Sequence, residues 1–145
     1  ANVRTVSDAL RAAGIRARFF VETQYVGISG ITEKTLLTLQ ANGFDIQSAG
    51  HTGDDLRGLT NAQLRLELVQ SRSLLEEMTN RTVFALLYPL AGSNDRVVER
   101  ARESGYLFGI SGAPDTNFSR DQFLRLPSIT VSAAMSPEDV VQAVK

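Results

Sequence analysis

The amino-acid sequence predicts a single α/β domain built around a mainly parallel β-sheet. Segments with the spacing of amphipathic helices alternate with short segments rich in β-branched and aromatic residues, so a helix separates most of the predicted strands. Val83–Tyr88 is a nearly continuous apolar run, which is typical of a strand buried on both faces of a parallel sheet. The chain has 145 residues, which is enough to bury one core without disulfides.

The first half of the chain predicts two helices and two strands in alternation. Val3–Ala13 carries apolar residues at helical spacing, and Ala17–Glu22 is a strand rich in aromatic residues. Ile31–Ala41 is the next helix, with Thr32 as its N-cap. Phe44–Ser48 is the second strand, and a polar loop follows it.

The second half continues the alternation and ends with an irregular stretch. Thr60 is a suitable N-cap for the longest helix, and Ser93 or Asn94 is suitable for the following one. Helices are predicted over 60–79, over 95–103 and from 136, and strands over 83–88, 106–111 and 124–131, the last interrupted by Pro127. Strands joined through helices imply right-handed crossovers. Functional loops then lie at the carboxyl ends of the strands, here Glu22–Gly30, Ala49–Gly58, Pro89–Asn94 and Gly112–Asn117.

Composition excludes several kinds of function. The chain has no cysteine, which excludes disulfides, zinc-thiolate sites and thiol nucleophiles. Its single histidine, His51, excludes a multi-histidine site built from one chain. A formal net charge of −1, with scattered Lys and Arg, gives no indication of nucleic-acid binding. No apolar run approaches the length of a membrane span.

An ordered series of short motifs extends along nearly the whole chain. The segments are Gly14–Val21 (GIRARFFV), Leu39–Ser48 (LQANGFDIQS), Asp55–Thr60 (DLRGLT), Phe84–Asp95 (FALLYPLAGSND), Gly105–Tyr106, Leu126–Ile129 and Ser136–Asp139. The first four resemble GI-x-ATFFV, L-x-A-x-G-x-EI-x-S, DL-x-x-LS and FAYPYG-x-x-ND of the polysaccharide deacetylases, or carbohydrate esterase family four. The last three resemble that family's GY dipeptide, closing strand and closing helix.

This resemblance implies a fold, a reaction and a location. The implied fold is a distorted parallel (β/α) barrel. The implied reaction is metal-assisted hydrolysis of an acetamide on an N-acetylated polysaccharide, in which a divalent metal such as zinc activates water. An aspartate acts as base and an acid protonates the departing amine. Family members take their ligands from an Asp-Asp pair on the first strand and from an H-[ST]-x-x-H motif, and their implied location is extracytoplasmic or at the cell envelope.

This sequence departs from the family pattern at the catalytic positions. Only two residues precede the first predicted helix, so the first strand and its Asp-Asp pair have no counterpart. An ungapped alignment places Ala49 and Gly53 where the two histidines belong, with His51 between them. Leu90 and Ala91 replace an aromatic residue and a glycine of the sugar site, and the late strand carries no acid histidine.

A second alignment, shifted by two residues, keeps part of a metal site. It matches His51 and Asp55 to the two histidines, and both residue types bind divalent ions. This shift needs compensating gaps on both sides and still supplies only two ligands.

The cleft residues have alternative interpretations. His51 is a metal ligand, a sugar contact or an ordinary loop histidine, whereas Asp54 and Asp55 bind metal or cap and solvate the loop. Tyr88 stacks on a sugar or belongs to the core or rim, and the same choice applies to Glu22, Gln24 and Tyr25. The binding-cleft candidates are His51, Thr52, Asp54, Asp55, Tyr88 and Asn94, with His51 and Asp55 as the weak metal candidates.

The sequence therefore predicts one polysaccharide-deacetylase-like domain over 1–145, associated with N-acetylated carbohydrate and without deacetylase activity or a bound metal. The first alternative is an active metal-dependent N-deacetylase with a rebuilt site around His51 and Asp55. The second is a structural or assembly domain, because the missing first strand exposes a sheet edge that a second copy or another chain could cover.

Overall fold

The fold is described here from a computed structural model. It describes residues 3–28, 30–112, 120–132, 134–136, 138–139 and 142. In chain order the helices and strands are α1 (Val3–Ala12), β1 (Arg18–Val21), α2 (Glu33–Ala41), β2 (Asp45–Ser48), α3 (Asn61–Arg65), α4 (Ser71–Thr79), β3 (Ala85–Leu87), α5 (Asp95–Glu103) and β4 (Phe108–Ile110). Short 3-10 helices cover Thr23–Tyr25, Leu56–Gly58, Pro89–Ala91 and Arg120–Arg125.

The four strands form one parallel sheet in the order β1-β2-β3-β4. The parallel α/β class that the sequence predicts is confirmed. Within the described residues the sheet stays open and does not close into a barrel. The outer edge of β1 has no strand partner in the described part of the chain, whereas the outer edge of β4 carries one parallel bridge, from Ile110 to Leu126.

Helix boundaries follow the cap residues that the sequence predicts. Thr32 accepts a hydrogen bond from the Thr35 backbone N–H, and Thr60 accepts one from Gln63, so each begins its helix with a capping box. Asn94 caps α5 through the Val97 backbone N–H.

The predicted long helix runs without a break over residues 61–79, but its hydrogen-bonding pattern changes along its length. A π-helical turn, Leu66–Gln70, separates α3 from α4. Such turns are rare and frequently occur at functional sites. This turn carries Glu67, a buried acidic residue on a helix face that also carries the fully buried Leu64 and Leu68. None of the helices in the described segments combines the length and apolar character needed to cross a membrane.

The predicted strand over 124–131 is wrong. Its first two residues belong to the 3-10 helix that ends at Arg125, and only Leu126 pairs with β4. The Leu126 N–H donates to the Gly109 carbonyl and the Leu126 carbonyl accepts from Ser111. The next contact with β4 comes from a side chain, because the Ser128 hydroxyl donates to the Ser111 carbonyl at 2.9 Å. Backbone pairing of this segment with β4 is therefore limited to Leu126. The predicted loop residues 113–117 and Pro137 lie outside the described residues.

The junction between β2 and β3 depends on a side chain. Only one pair, Ser48 with Leu86, aligns across these strands. The buried Gln47 amide oxygen accepts the backbone N–H groups of Phe84 at 2.9 Å and Ala85 at 2.8 Å. Its amide nitrogen donates to Asp45 Oδ2 at 3.1 Å. Gln47 therefore supplies the bonds that a second main-chain pair would otherwise make.

The core lies between this sheet and the helices that follow its strands. Its fully buried apolar side chains include Leu36, Leu56, Leu64, Leu68, Leu75, Val83, Leu86, Val97 and Ala101. Gly109 of β4 has no room for a side chain, because a Cβ atom there would lie 2.5 Å from the Leu124 carbonyl oxygen. Because the strands are parallel, the carboxyl ends of β1, β2 and β3 lie at one edge of the sheet.

Candidate functional site

The segment after β2, residues 49–60, is the centre of the site and is called the β2–α3 loop here. Its backbone is bonded to the 3-10 turn after β1. Thr23 N–H donates to the Gly50 carbonyl at 3.2 Å, and Gln24 N–H donates to the His51 carbonyl at 3.1 Å. The Gln24 side-chain amide also donates to the Thr52 carbonyl. The loops after β1 and β2 therefore form one unit.

Glu67 holds the same loop from the other side. Glu67 is 5% exposed, and its carboxylate accepts the His51 backbone N–H at 2.7 Å and the Thr52 backbone N–H at 3.0 Å. The Thr52 hydroxyl lies 2.7 Å from Glu67 Oε1 and 2.9 Å from Asp54 Oδ2. Hydrogen bonds to an ionised acceptor are stronger than neutral ones. Glu67 is thus the main anchor of the β2–α3 loop.

The ring of His51 faces the turn after β1. Its Nδ1 atom lies 2.7 Å from the Thr23 hydroxyl, and which group donates depends on the tautomer. The other ring nitrogen has no hydrogen-bond partner among the described residues. The His51 residue as a whole is only partly buried.

Asp55 is fully engaged by its own neighbour. Its carboxylate accepts the Arg57 backbone N–H at 3.0 Å, which caps the 3-10 turn, and it pairs with the Arg57 guanidinium through contacts of 2.6 to 3.1 Å. These bonds to Arg57 lower the pKa of Asp55 to about 2. Both Asp55 oxygens therefore serve Arg57 rather than a shared site with His51.

This pairing predicts a specific pH dependence of stability. The folded-state pKa of Asp55 is depressed, so the pair stabilises the fold above the ordinary carboxyl pKa and loses its contribution as pH falls from about 4 to about 2. We expect Asp55→Asn, which keeps a capping oxygen, to lower the urea midpoint at pH 6 and to converge with the parent near pH 2. A difference that stays constant over this range would contradict the assignment.

The two positions that the ungapped alignment matches to metal-binding histidines carry no side chain that can bind a metal. Ala49 is buried, and its N–H donates to the Val21 carbonyl of β1 at 2.9 Å. Gly53 has a φ of +81°, and a Cβ atom there would lie 2.7 Å from Glu22 Oε2. Both positions are thus fitted to the small residues that occupy them.

The donor set does not fit the divalent metal that the resemblance implies. Among the described residues, no three Asp, Glu or His side chains lie close enough together to hold an ion. His51 uses Nδ1 on Thr23, and Asp55 is paired with Arg57. A catalytic zinc site takes three protein ligands and an open position.

Two other cleft candidates have structural roles. Tyr88 is 1% exposed and its ring lies against Gly109, so it offers no exposed face for stacking on a sugar. Burial raises the pKa of its hydroxyl, which has no hydrogen-bond partner among the described residues. Asn94 Oδ1 accepts the Val97 N–H at 3.0 Å as the cap of α5. Tyr88 is therefore a core residue, as one of the two interpretations of the sequence expects.

The loop after β3 carries local backbone strain. Leu90 and Ala91 both have left-handed conformations, with φ of +51° and +57°, which non-glycine residues rarely adopt. Leu90 is 77% exposed at this edge of the sheet. In the family motif, a glycine stands at the position of Ala91. Glycine adopts a left-handed conformation readily, whereas alanine in the same conformation is strained.

Sequence reasoning missed Glu67 as a site residue. It selected His51, Thr52 and Asp54, which the structure brings together, and noted Glu22 and Gln24, which border them. One signal for Glu67 was available. An acidic residue that lies three positions after Leu64, on the apolar face of a helix, needs a buried partner.

Comparisons with known proteins agree with this fold. The family model described as polysaccharide deacetylase matches residues 1–109. YxkH of Bacillus subtilis (strain 168), which bears a polysaccharide deacetylase name, is 29% identical over 139 residues, covering 93% of this chain and 49% of YxkH. The chain thus spans about half the length of this curated relative.

Solved structures give the same result for the fold. The Streptococcus pyogenes deacetylase PplD, in complex with acetate, matches with a TM-score of 0.87 and 22% identity, over 98% of this chain and 64% of PplD. A CE4 family pseudoenzyme from Bacillus anthracis matches with a TM-score of 0.65 and 18% identity, over 71% of this chain and 36% of its own. With three quarters of its length matched by the family model, this chain belongs to the polysaccharide deacetylase family.

Proposed function

We propose that this chain is a polysaccharide-deacetylase-like domain that contacts N-acetylated carbohydrate and does not itself release acetate. The observation that carries the proposal is the state of the β2–α3 loop. Its backbone is fixed on both sides, yet the positions matched to histidine ligands are Ala49 and Gly53. The alternative ligand Asp55 is neutralised by Arg57. A protein that keeps its fold and loses its catalytic activity is expected to retain the loop framework and to lose the side chains that bind the metal.

Two further observations support the proposal. One solved relative in Bacillus anthracis is named a CE4 family pseudoenzyme, and a mutant of it is named as having restored activity. Loss of activity on this fold therefore has a named precedent. The site loops after β1, β2 and β3 also meet at one edge of the sheet, where the polar side chains Glu22, Gln24 and Asp54 border a shared surface. From the family resemblance, we propose that this domain lies outside the cytoplasm or at the cell envelope.

The test compares acetate release and glycan binding by the same protein. The chain is incubated with added Zn²⁺ or Co²⁺ on chitin oligomers and peptidoglycan fragments, and acetate is measured. We expect no release above the protein-free control, and retained binding to the oligomers in a sedimentation or titration assay. His51→Ala is the matched variant, and its acetate release should equal that of the parent, at the level of the protein-free control.

Two results would decide against the proposal. Metal-dependent acetate release that disappears in His51→Ala would establish the alternative of an active deacetylase with a rebuilt site. Absence of any binding to N-acetylated oligomers would contradict the proposal that this domain contacts N-acetylated carbohydrate.

We also propose that the free edge of β1 pairs with another strand, from a second copy or another chain. Along Arg18–Val21 only one side of the strand is hydrogen-bonded within the described residues. An uncovered edge is a template for strand addition. The expected result is a dimer whose fraction rises with concentration in light scattering, whereas a strict monomer at high concentration would argue against pairing between copies.

A further inference from the structure

A groove runs between the start of the long helix and α5, and it is called the α3–α5 groove here. It encloses about 210 Å³, and its lining residues are Asn61, Arg65, Val69, Arg100, Glu103 and Ser104. Both helices follow parallel strands, so both begin at the carboxyl edge of the sheet. Arg96, in the first turn of α5, donates to the Arg57 carbonyl at 3.0 Å, which places this end of the groove beside the β2–α3 loop.

The groove carries uncompensated positive charge. Arg100 is paired with Glu103 at 2.5 Å. Arg65 has no hydrogen-bond or carboxylate partner in the described segments. Arg96 donates only to neutral acceptors, the Asn61 side-chain oxygen at 3.1 Å and the Arg57 carbonyl. Two exposed guanidinium charges therefore remain around Asn61, on a chain whose formal net charge is −1.

Asn61 adds neutral donors to the same place. Its side-chain oxygen accepts from Arg96, which fixes the orientation of the amide. The amide nitrogen of Asn61 then has both hydrogens free, since no bond within the described residues uses them. Arg65, Arg96 and the Asn61 amide thus present donors only, which is the chemistry that recognises an anion.

Two of the backbone N–H donors at the start of α3 are already used. The Gln63 N–H donates to the Thr60 hydroxyl and the Leu64 N–H donates to the Thr60 carbonyl. A phosphate group typically takes several free backbone N–H donors. A planar carboxylate instead fits the fork of a guanidinium. The arrangement therefore favours carboxylate over phosphate.

We propose that the α3–α5 groove binds carboxylate groups of an acidic N-acetylated polysaccharide, so that this domain prefers acidic over neutral glycans. The proposal rests on the carbohydrate association proposed above and adds the class of polymer. The glycan would lie across the carboxyl edge of the sheet, with its acidic residues at Arg65 and Arg96.

The test uses two glycans of equal length that share the acetamide and differ in charge. Hyaluronan octasaccharide alternates N-acetylglucosamine with glucuronate, whereas chitooctaose is neutral. By titration at low ionic strength, we expect hyaluronan to bind about tenfold more tightly, and we expect most of this preference to disappear near 1 M salt, where screening is nearly complete. The double variant Arg65→Gln/Arg96→Gln should bind the two glycans within about twofold of each other.

The control removes the same charge elsewhere. Arg16 and Arg81 are exposed and precede β1 and β3, at the opposite edge of the sheet. Arg16→Gln/Arg81→Gln should keep the parent's preference for hyaluronan. Equal binding of both glycans by the parent, or equal losses in the two double variants, overturns the groove proposal and leaves the proposed function standing. Failure of both glycans to bind overturns the two together.

Discussion

Replacing Glu67 with alanine is expected to lower the free energy of unfolding by about 3 kcal/mol. The carboxylate is nearly completely buried and accepts bonds from the His51 and Thr52 backbone N–H groups and lies within hydrogen-bond distance of the Thr52 hydroxyl. Its removal leaves these donors partly buried without an acceptor, and such orphaned donors cost more than the net value of the bond that is lost. Urea unfolding of the parent and the variant measures the difference directly.

Two related variants make this expectation specific. Glu67→Gln keeps one acceptor oxygen but turns an amide donor toward backbone donors, so we expect an intermediate loss of about 1–2 kcal/mol. Glu77→Ala removes an acidic residue that is exposed on α4, and its effect should stay within about 0.5 kcal/mol. Equal effects of Glu67→Ala and Glu77→Ala would show that Glu67 does not anchor the β2–α3 loop.

Adding one methyl group at Gly109 is expected to cost about 3 kcal/mol or more. A Cβ atom there would lie 2.5 Å from the Leu124 carbonyl oxygen and 2.7 Å from Cε2 of Tyr88. Leu124 contributes backbone rather than a flexible side chain, and Tyr88 is fixed in the core. Relief therefore requires movement of the segment that bridges to β4.

Gly58 provides the matched control for Gly109. A Cβ atom at Gly58 meets no atom within 4 Å, and its backbone is not in the left-handed region. Gly58→Ala should leave stability unchanged or raise it by up to about 1 kcal/mol, because alanine restricts the unfolded chain. Thermal or urea unfolding that ranks Gly58→Ala below Gly109→Ala would contradict the packing described for β4.

The regular part of the fold was predictable because it depends on local patterns. Thr32, Thr60 and Asn94 are short polar residues before amphipathic segments, and each caps a helix as predicted. The strand over 124–131 was not predictable in the same way. Its backbone pairs with β4 at Leu126 alone, and the Ser111 carbonyl accepts from the Ser128 hydroxyl. Periodicity does not report which backbone groups find partners.

The position of the site was predictable from the sequence, whereas the hydrogen bonds and the ion pair that hold it were not. Parallel topology alone places the loops after β1 and β2 at one edge, which is why Glu22 and Gln24 lie beside the loop that carries His51. The pairing of Asp55 with Arg57 and the anchoring by Glu67 depend on side-chain directions and on the π-helical turn. A sequence of apolar and polar residues does not specify these features.

The junction between β2 and β3 differs from the other strand junctions because it depends on the Gln47 side chain. β1 pairs with β2 over four residues, and β3 pairs with β4 over three. β2 and β3, in contrast, are joined by one main-chain residue pair and by the side-chain amide of Gln47. A main-chain ladder opens only when strands separate, whereas an amide side chain can be displaced by rotation about its own bonds. The amide hydrogens of Phe84 and Ala85 are therefore expected to exchange with solvent together, and to do so before those of the main-chain ladders on either side.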